Sequence, residues 1–277
     1  MPRGYAKSFV ALSFAAVAMS AMVSGAARAE NAEIANRRAA ERTSFSNDEI
    51  AGGFFKTAFH AELQFDRRAE RIRKFDEPIR AFIDGGSAER SAAIAAIVAD
   101  IAARVKHLDL AVTSNRSKAN VVVMLVPQHD FAETIRTRYG EKQAKQIQQS
   151  LHPECLSGIA KDRSYRIRRA EVILPADAEE FRFYDCAYEE LLQSLGLIND
   201  DGSVPWTMFN DDVQMGFFDV YDQYLVNILY DSRVRPGMTQ REVRKLLPDV
   251  LPTVREWVDN ANRMRNAQSN ANGVARR

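Results

Sequence analysis

The sequence predicts an α/β or α+β domain, built as a twisted mixed sheet with a helical C-terminal part. Three observations carry this. Strand and helix patterns alternate through the first half of the chain, and helical patterns dominate the second. Val121 to Val126 is a continuous apolar run, the mark of a strand covered on both faces. Pro, Gly and Asp clusters separate the periodic stretches and are read as turns.

The elements follow in order. Residues 1–29 are predicted to be a cleaved secretory signal. Arg3 and Lys7 give a basic start, Ser8 to Ala26 is apolar and small, and Ala27-Arg28-Ala29 is an A-x-A cleavage site. Residues 30–48 are polar and Ala-rich and are expected to be a flexible lead-in. Packing is expected to begin near Phe54-Phe55, in a domain over residues 49–260. Pro78 to Ile83 predicts a strand ended by Asp84-Gly85-Gly86, with Ser87 as the N-cap of the next helix. That helix places Ile94, Ile97, Val98, Ile101, Val105 and Leu108 at helical spacing. A more polar helix is expected over Phe131–Leu151, with Gly140 as its break.

Arg166 to Leu174 alternates and is expected to be an edge strand ended by Pro175. Asp177 and Glu180 suggest a capping box for the following helix. A further helix carries Phe217, Tyr221, Tyr224, Leu225 and Ile228 on one stripe and stops near Asp231. Thr239 and Glu242 suggest a second capping box. The last helix is expected to bury Leu246, Val250, Val254, Trp257 and Val258 and to bend at Pro248 and Pro252. Residues 261–277, with four arginines and no acid, are expected to form a disordered basic tail.

Composition narrows the function classes. The leader holds three of the 38 Lys and Arg and none of the 37 Asp and Glu, leaving 35 against 37 and a charge of −2 on the mature chain. Nothing in this balance points to a nucleic-acid partner, which would want a strongly basic surface. No later stretch is apolar enough to span a bilayer. Export implies an oxidising compartment, periplasmic or extracellular, in which Cys155 and Cys186 are expected to be bridged. The rival is a free catalytic thiol, for which His152 would have to lie near.

The most informative run is Glu189-Glu190-Leu191-Leu192-Gln193-Ser194-Leu195-Gly196-Leu197-Ile198-Asn199. A helical wheel sets Tyr184, Tyr188, Leu191, Leu192 and Leu195 on one side. Glu189, Gln193 and Cys186 lie on the other, with Glu190 at the flank. Gly196 stands where such a helix must turn, bringing Asn199 back toward Glu189 and Gln193. The run has the spacing of the metzincin motif H-E-x-x-H-x-x-G-x-x-H, with Glu189, Gln193 and Asn199 in the three histidine places. Trp206-Thr207-Met208-Phe209-Asn210 is similar to the Met-turn, and the order of elements resembles that of a zincin catalytic domain.

More closely, the chain resembles a family of secreted bacterial domains of unknown function, over roughly residues 50–245. The shared marks are Phe55-Lys56-Thr57-Ala58-Phe59; Cys186 with Glu189-Glu190-Leu191 and Gln193; Leu195-Gly196-Leu197 with Asn199-Asp200; Phe209-Asn210-Asp211-Asp212; and Leu229-Tyr230-Asp231 with Arg235-Pro236-Gly237-Met238. The resemblance implies a zincin-like, metzincin-like fold whose zinc site is lost, a pseudoprotease.

Zinc needs His, Cys or carboxylate ligands. Gln193 and Asn199 are poor ones, and His60, His107, His129 and His152 show no ligand spacing. No metal and no cofactor are therefore expected, and the degenerate cleft is expected to bind a peptide or an envelope protein. The alternative is a hydrolase with an oxygen-ligated divalent cation such as Ca²⁺. It would draw on Glu189, Glu190, Asn199, Asp200, Asp201, Asn210, Asp211 and Asp212, with Glu190 as general base. The preferred reading of these acids and amides is as helix caps and turn-formers. Tyr165 with Arg166, Arg168 and Arg169 marks a basic patch beside the expected edge strand. Strand addition of a peptide and charge protection of an edge are its two readings.

Overall fold

The apolar run Val121–Val126 is strand β3, and its two faces meet different layers. The computed structural model describes residues 30–59, 70–151 and 153–274, with side chains placed outside 150–151 and 265–274. Val121, Val123 and Leu125 face a large core with Val172 and Leu174, while Val122 and Met124 face a smaller one with Phe131, Ile135, Ile147 and Ile173. This is why the run lacks the alternation of a half-exposed strand.

Among the described residues, five strands form one sheet in the order β2-β1-β3-β5-β4. They are β1 (Ile79–Gly85), β2 (Leu110–Val112), β3, β4 (Leu156–Lys161) and β5 (Ile167–Pro175). All pairings are parallel except β4 against β5. The expected edge strand is therefore an interior one: β5 pairs with β3 on one side and β4 on the other. The true edge, β4, escaped the sequence reading because Leu156-Ser157-Gly158-Ile159-Ala160 carries too few β-branched or alternating residues to be recognised as a strand. Its small residues fit a close approach, since Tyr139 lies where a Cβ on Gly158 would go.

The helices pack as their patterns require. α1 (Ala32–Ala39) lies in the segment expected to be flexible; Asn31 caps it and Ile34 is buried. α2 (Asn47–Phe59) opens on a capping box that the sequence reading missed, Ser46-x-x-Glu49. The Ser46 amide donates to Glu49 Oε2 at 2.7 Å, and the Glu49 amide donates to Ser46 Oγ at 3.2 Å. α3 (Ala88–Arg104) is capped by Ser87 and buries Ile94, Ile97, Val98 and Ile101, as its spacing predicts. The polar helix breaks at Gly140, φ +80°, into α4 (Phe131–Tyr139) and α5 (Glu141–Leu151).

α6 (Glu180–Ser194) is the motif helix. Its expected capping box does not form, because Asp177 instead accepts from the Gln128 amide at 2.7 Å. α7 (Val220–Tyr230) starts after Phe217 rather than with it, and all its residues are buried. A helix covered on every side needs no polar face, which is why its stripe reads so broadly. α8 (Gln240–Val274) begins with the Thr239–Glu242 box and contains Pro248 and Pro252. Val250, Val254 and Val258 are buried as expected, with Val243, Leu247 and Leu251, while Leu246 and Trp257 are only partly covered. The helix continues through Val274, across the segment expected to be a tail.

Cys155 and Cys186 form a disulfide, with Cα atoms 5.9 Å apart. It joins the start of edge strand β4 to the middle of α6. Residues 1–29, His60 and His152 lie outside the described residues. No helix among the described residues is long and apolar enough to cross a membrane.

Candidate functional site

The site is built on α6 and the turn after it. α6 lies against β4 and β5. Its C-terminal end is fixed from two sides. The Tyr230 hydroxyl donates to the Leu195 carbonyl at 3.0 Å, and the Gly196 amide donates to the Gln193 carbonyl at 2.8 Å. Gly196 adopts φ +126°, and a Cβ there would run into the Arg73 carbonyl. Only glycine meets both demands, so the chain turns where the motif predicts.

The turn does not bring the three histidine-position residues together. Gln193 acts as a strut: its amide nitrogen donates to Asp200 at 2.9 and 3.1 Å, and its carbonyl accepts from Ser157 Oγ of β4 at 3.1 Å. Asn199 turns away, donating to the Lys56 carbonyl of α2 at 3.0 Å. Asn210 is buried and is spent on local bonds, donating to the Val204 carbonyl and accepting from the Asp212 amide. Asp212 is exposed. Glu190 is 6 % exposed and stands outside the group that does converge.

That group is Glu189, Asp200 and Asp211, each offering a carboxylate oxygen within 4.8 Å of the others. Asp200, one residue past the expected position, thus takes the place expected of Asn199. Burial, followed by the charges of Glu190, Asp200, Asp185 and Asp211, pushes the Glu189 carboxyl well above the ordinary range. Glu189 therefore favours a proton, or a cation in its place.

Asp185, which the sequence reading passed over, sits one turn before Glu189. It accepts from the Met215 and Gly216 amides at 2.7 and 3.0 Å, and burial raises its carboxyl too. The i, i+4 spacing from Glu189 was the available clue.

The Trp206–Asn210 turn is held by α7. The Thr207 hydroxyl and the Met208 amide both donate to Asp222, the latter at 2.9 Å. Met208 and Phe209 are both buried.

The model of proteins of unknown function, DUF2927, matches residues 47–249. The chain belongs to the DUF2927 family. The match spans α2 through the first part of α8, and so contains the α6 helix, its turn and the acidic group. No curated protein and no solved structure matches this DUF2927 chain.

Proposed function

We propose that this chain is a secreted or periplasmic, non-catalytic binding module with a zincin-like frame. Its ligand is an extended segment of an envelope protein or peptide. The segment adds to the free edge of β4 and places a lysine or arginine against Glu189, Asp200 and Asp211. The observation that carries this is the Gln193 strut. A residue at a ligand position of the metzincin pattern is engaged on both amide atoms, joining the edge strand to the acidic group. The same amide that removes a metal ligand sets a strand edge beside negative charge.

Three further features support it. Among the described residues no strand pairs with the outer side of β4, so its amides and carbonyls there can receive a partner. The basic residues once read as protecting the edge belong elsewhere: Arg168 and Arg169 are on interior β5 and Arg166 immediately precedes it. The stretch 156–160 of β4 carries no charge to block pairing. The disulfide fixes the strand against α6, which lowers the entropy lost on binding.

A second reading rests on the same three carboxylates: a hard divalent cation among oxygen ligands, with hydrolysis by Glu190. Against it stands the place of Glu190, buried and outside the group. Against zinc stand the two amides. Elemental analysis of the purified mature protein, with thermal shifts in Ca²⁺, Mg²⁺, Mn²⁺ and Zn²⁺, separates the readings. The binding-module reading expects no stoichiometric ion and no shift. An ion bound one to one and lost in Glu189→Ala would establish the second.

A further inference from the structure

A second polar site lies outside the acidic group, where the family mark Arg235-Pro236-Gly237-Met238 meets the extended segment 71–75. The two are laced together. The Ile72 amide donates to the Met238 carbonyl at 2.9 Å, and the Gly237 amide donates to the Ile72 carbonyl at 2.8 Å. On its other side the segment bridges Arg166, and the Ile167 amide donates to the Lys74 carbonyl at 3.0 Å. Between them is a pocket of 530 Å³ whose charged lining is Arg71, Lys74, Arg166 and Arg235 against Asp76 and Glu242.

Four cations stand against two carboxylates, an excess of two positive charges, and each acid is already held by other groups. Asp76 is shared by Arg166, at 2.8 Å, and Arg168, at 3.9 Å. Glu242 accepts from the Thr239 amide and hydroxyl at 2.8 and 2.6 Å, which holds it below the usual carboxylate range. Arg235 is exposed and has no ion-pair partner among the described residues. Ser164 and Ser232 add hydroxyls to the lining.

The pocket is also costly to build. Lys74 is buried, and its ammonium is held by the carbonyls of Val234, Leu229 and Asp231 at 2.6, 2.8 and 3.3 Å, so it contributes charge rather than a donor. Burial lowers its pKa to about 8. Tyr165 takes φ +65°, where a side chain is strained, with its ring beneath Arg71 and Lys161. The pocket is thus floored by a buried cation and adjoined by the strained β4–β5 turn.

We infer that this pocket binds a phosphate monoester, a dianion matching the two excess positive charges, held by the fork of Arg235 and by the guanidinium nitrogens that Arg71 and Arg166 do not spend on the Gly237 carbonyl and Asp76. The group can be carried by a soluble metabolite or by a lipid headgroup. This inference stands apart from the β4 reading, since the two sites share no residue.

The test is calorimetry on the full mature chain with inorganic phosphate and glycerol 3-phosphate, with sodium acetate as the monoanion control. A co-sedimentation arm uses vesicles of phosphatidylcholine with and without phosphatidic acid. The expected result is saturable one-to-one binding of a phosphate probe that acetate does not reproduce. It should weaken about tenfold in Arg235→Gln, the loss of one charge-assisted contact. Arg235 is exposed, so this variant should keep its melting temperature, and Arg235→Lys should recover part of the affinity. Binding confined to phosphatidic acid vesicles, and lost in Arg235→Gln, assigns the group to a lipid. No saturation by any probe up to about 10 mM, or binding that Arg235→Gln leaves unchanged, overturns the inference.

Discussion

Two groups of carboxylates flank α7 and α6 respectively, Asp219 with Asp222 and Glu189 with Asp200 and Asp211, and they are built on opposite terms. Asp219 and Asp222, at the start of α7, are 1 % and 0 % exposed. Asp222 accepts from Thr207 and Met208, and Asp219 accepts from the Asp222 amide at 3.0 Å. Burial and the neighbouring Asp222 charge raise Asp219, so the pair keeps a proton there. Glu189, Asp200 and Asp211 are partly exposed to exposed and face one another. The first group uses its charge on fixed backbone and holds a turn. The second concentrates charge where a partner can reach it. Carboxylates matched by buried donors hold structure, whereas carboxylates set against one another at a surface leave charge for which the fold supplies no equal partner.

That difference can be broken from either side. The largest effect is expected at Asp222→Ala, which strips the turn of two buried acceptors and should cost about 3–5 kcal/mol in denaturant unfolding. Opening the Cys155–Cys186 bridge by Cys155→Ser with Cys186→Ser should cost about 3–4 kcal/mol by the loop-entropy model. A thiol titration of the native chain should find no reactive thiol. Gln193→Ala should cost about 1–2 kcal/mol, since it removes only a partly buried strut. Glu189→Gln should go the other way, raising stability at neutral pH by about 1 kcal/mol, or about 2–4 °C in melting temperature. A loss of stability there would show that Glu189 is a structural acid like Asp222.

The pH dependence separates the groups as well. Glu189 and Asp219 have folded pKa values above their ordinary 4.5 and 3.8. The folded chain therefore holds protons that the unfolded chain has released. Stability from these groups is full below the ordinary carboxylate range and is lost as pH rises through the folded values. Melting temperature should fall from mildly acidic to neutral pH, and Glu189→Gln should flatten part of that fall. A fall unchanged in the variant would assign it to the other buried acids, Asp219, Asp222 and Asp185.

How much of this was legible depends on whether the controlling interactions were local. β3, α3, the Gly140 break, Gly196 and the Thr239 box could all be read, because spacing, a cap or a positive φ sets each within a few residues. β4 could not. Its strandedness comes from pairing with β5, and Gly158 is chosen by Tyr139 on α4. The same holds for the site. Glu189, Gln193, Asp200 and Asp211 were all picked out, but their division of labour was not. Asn199 sits where the motif wants a ligand, yet the Lys56 carbonyl of α2 draws its amide away and leaves Asp200 to converge. Asp177 shows the converse, a local cap pattern overridden by the Gln128 amide. Spacing finds a helix face, whereas only tertiary donors decide which polar groups on it remain available.

The central claim is that the acidic group at α6 receives a partner's positive side chain beside the β4 edge. Fluorescence polarisation with an extended lysine-containing peptide, chosen from an array, against the same peptide with its lysine acetylated tests this directly. The prediction is saturable binding that drops at least about tenfold on acetylation, and equally in Glu189→Gln with Asp211→Asn, as loss of one charge-assisted contact requires. Equal binding of both peptides, or binding indifferent to the two substitutions, would contradict the account.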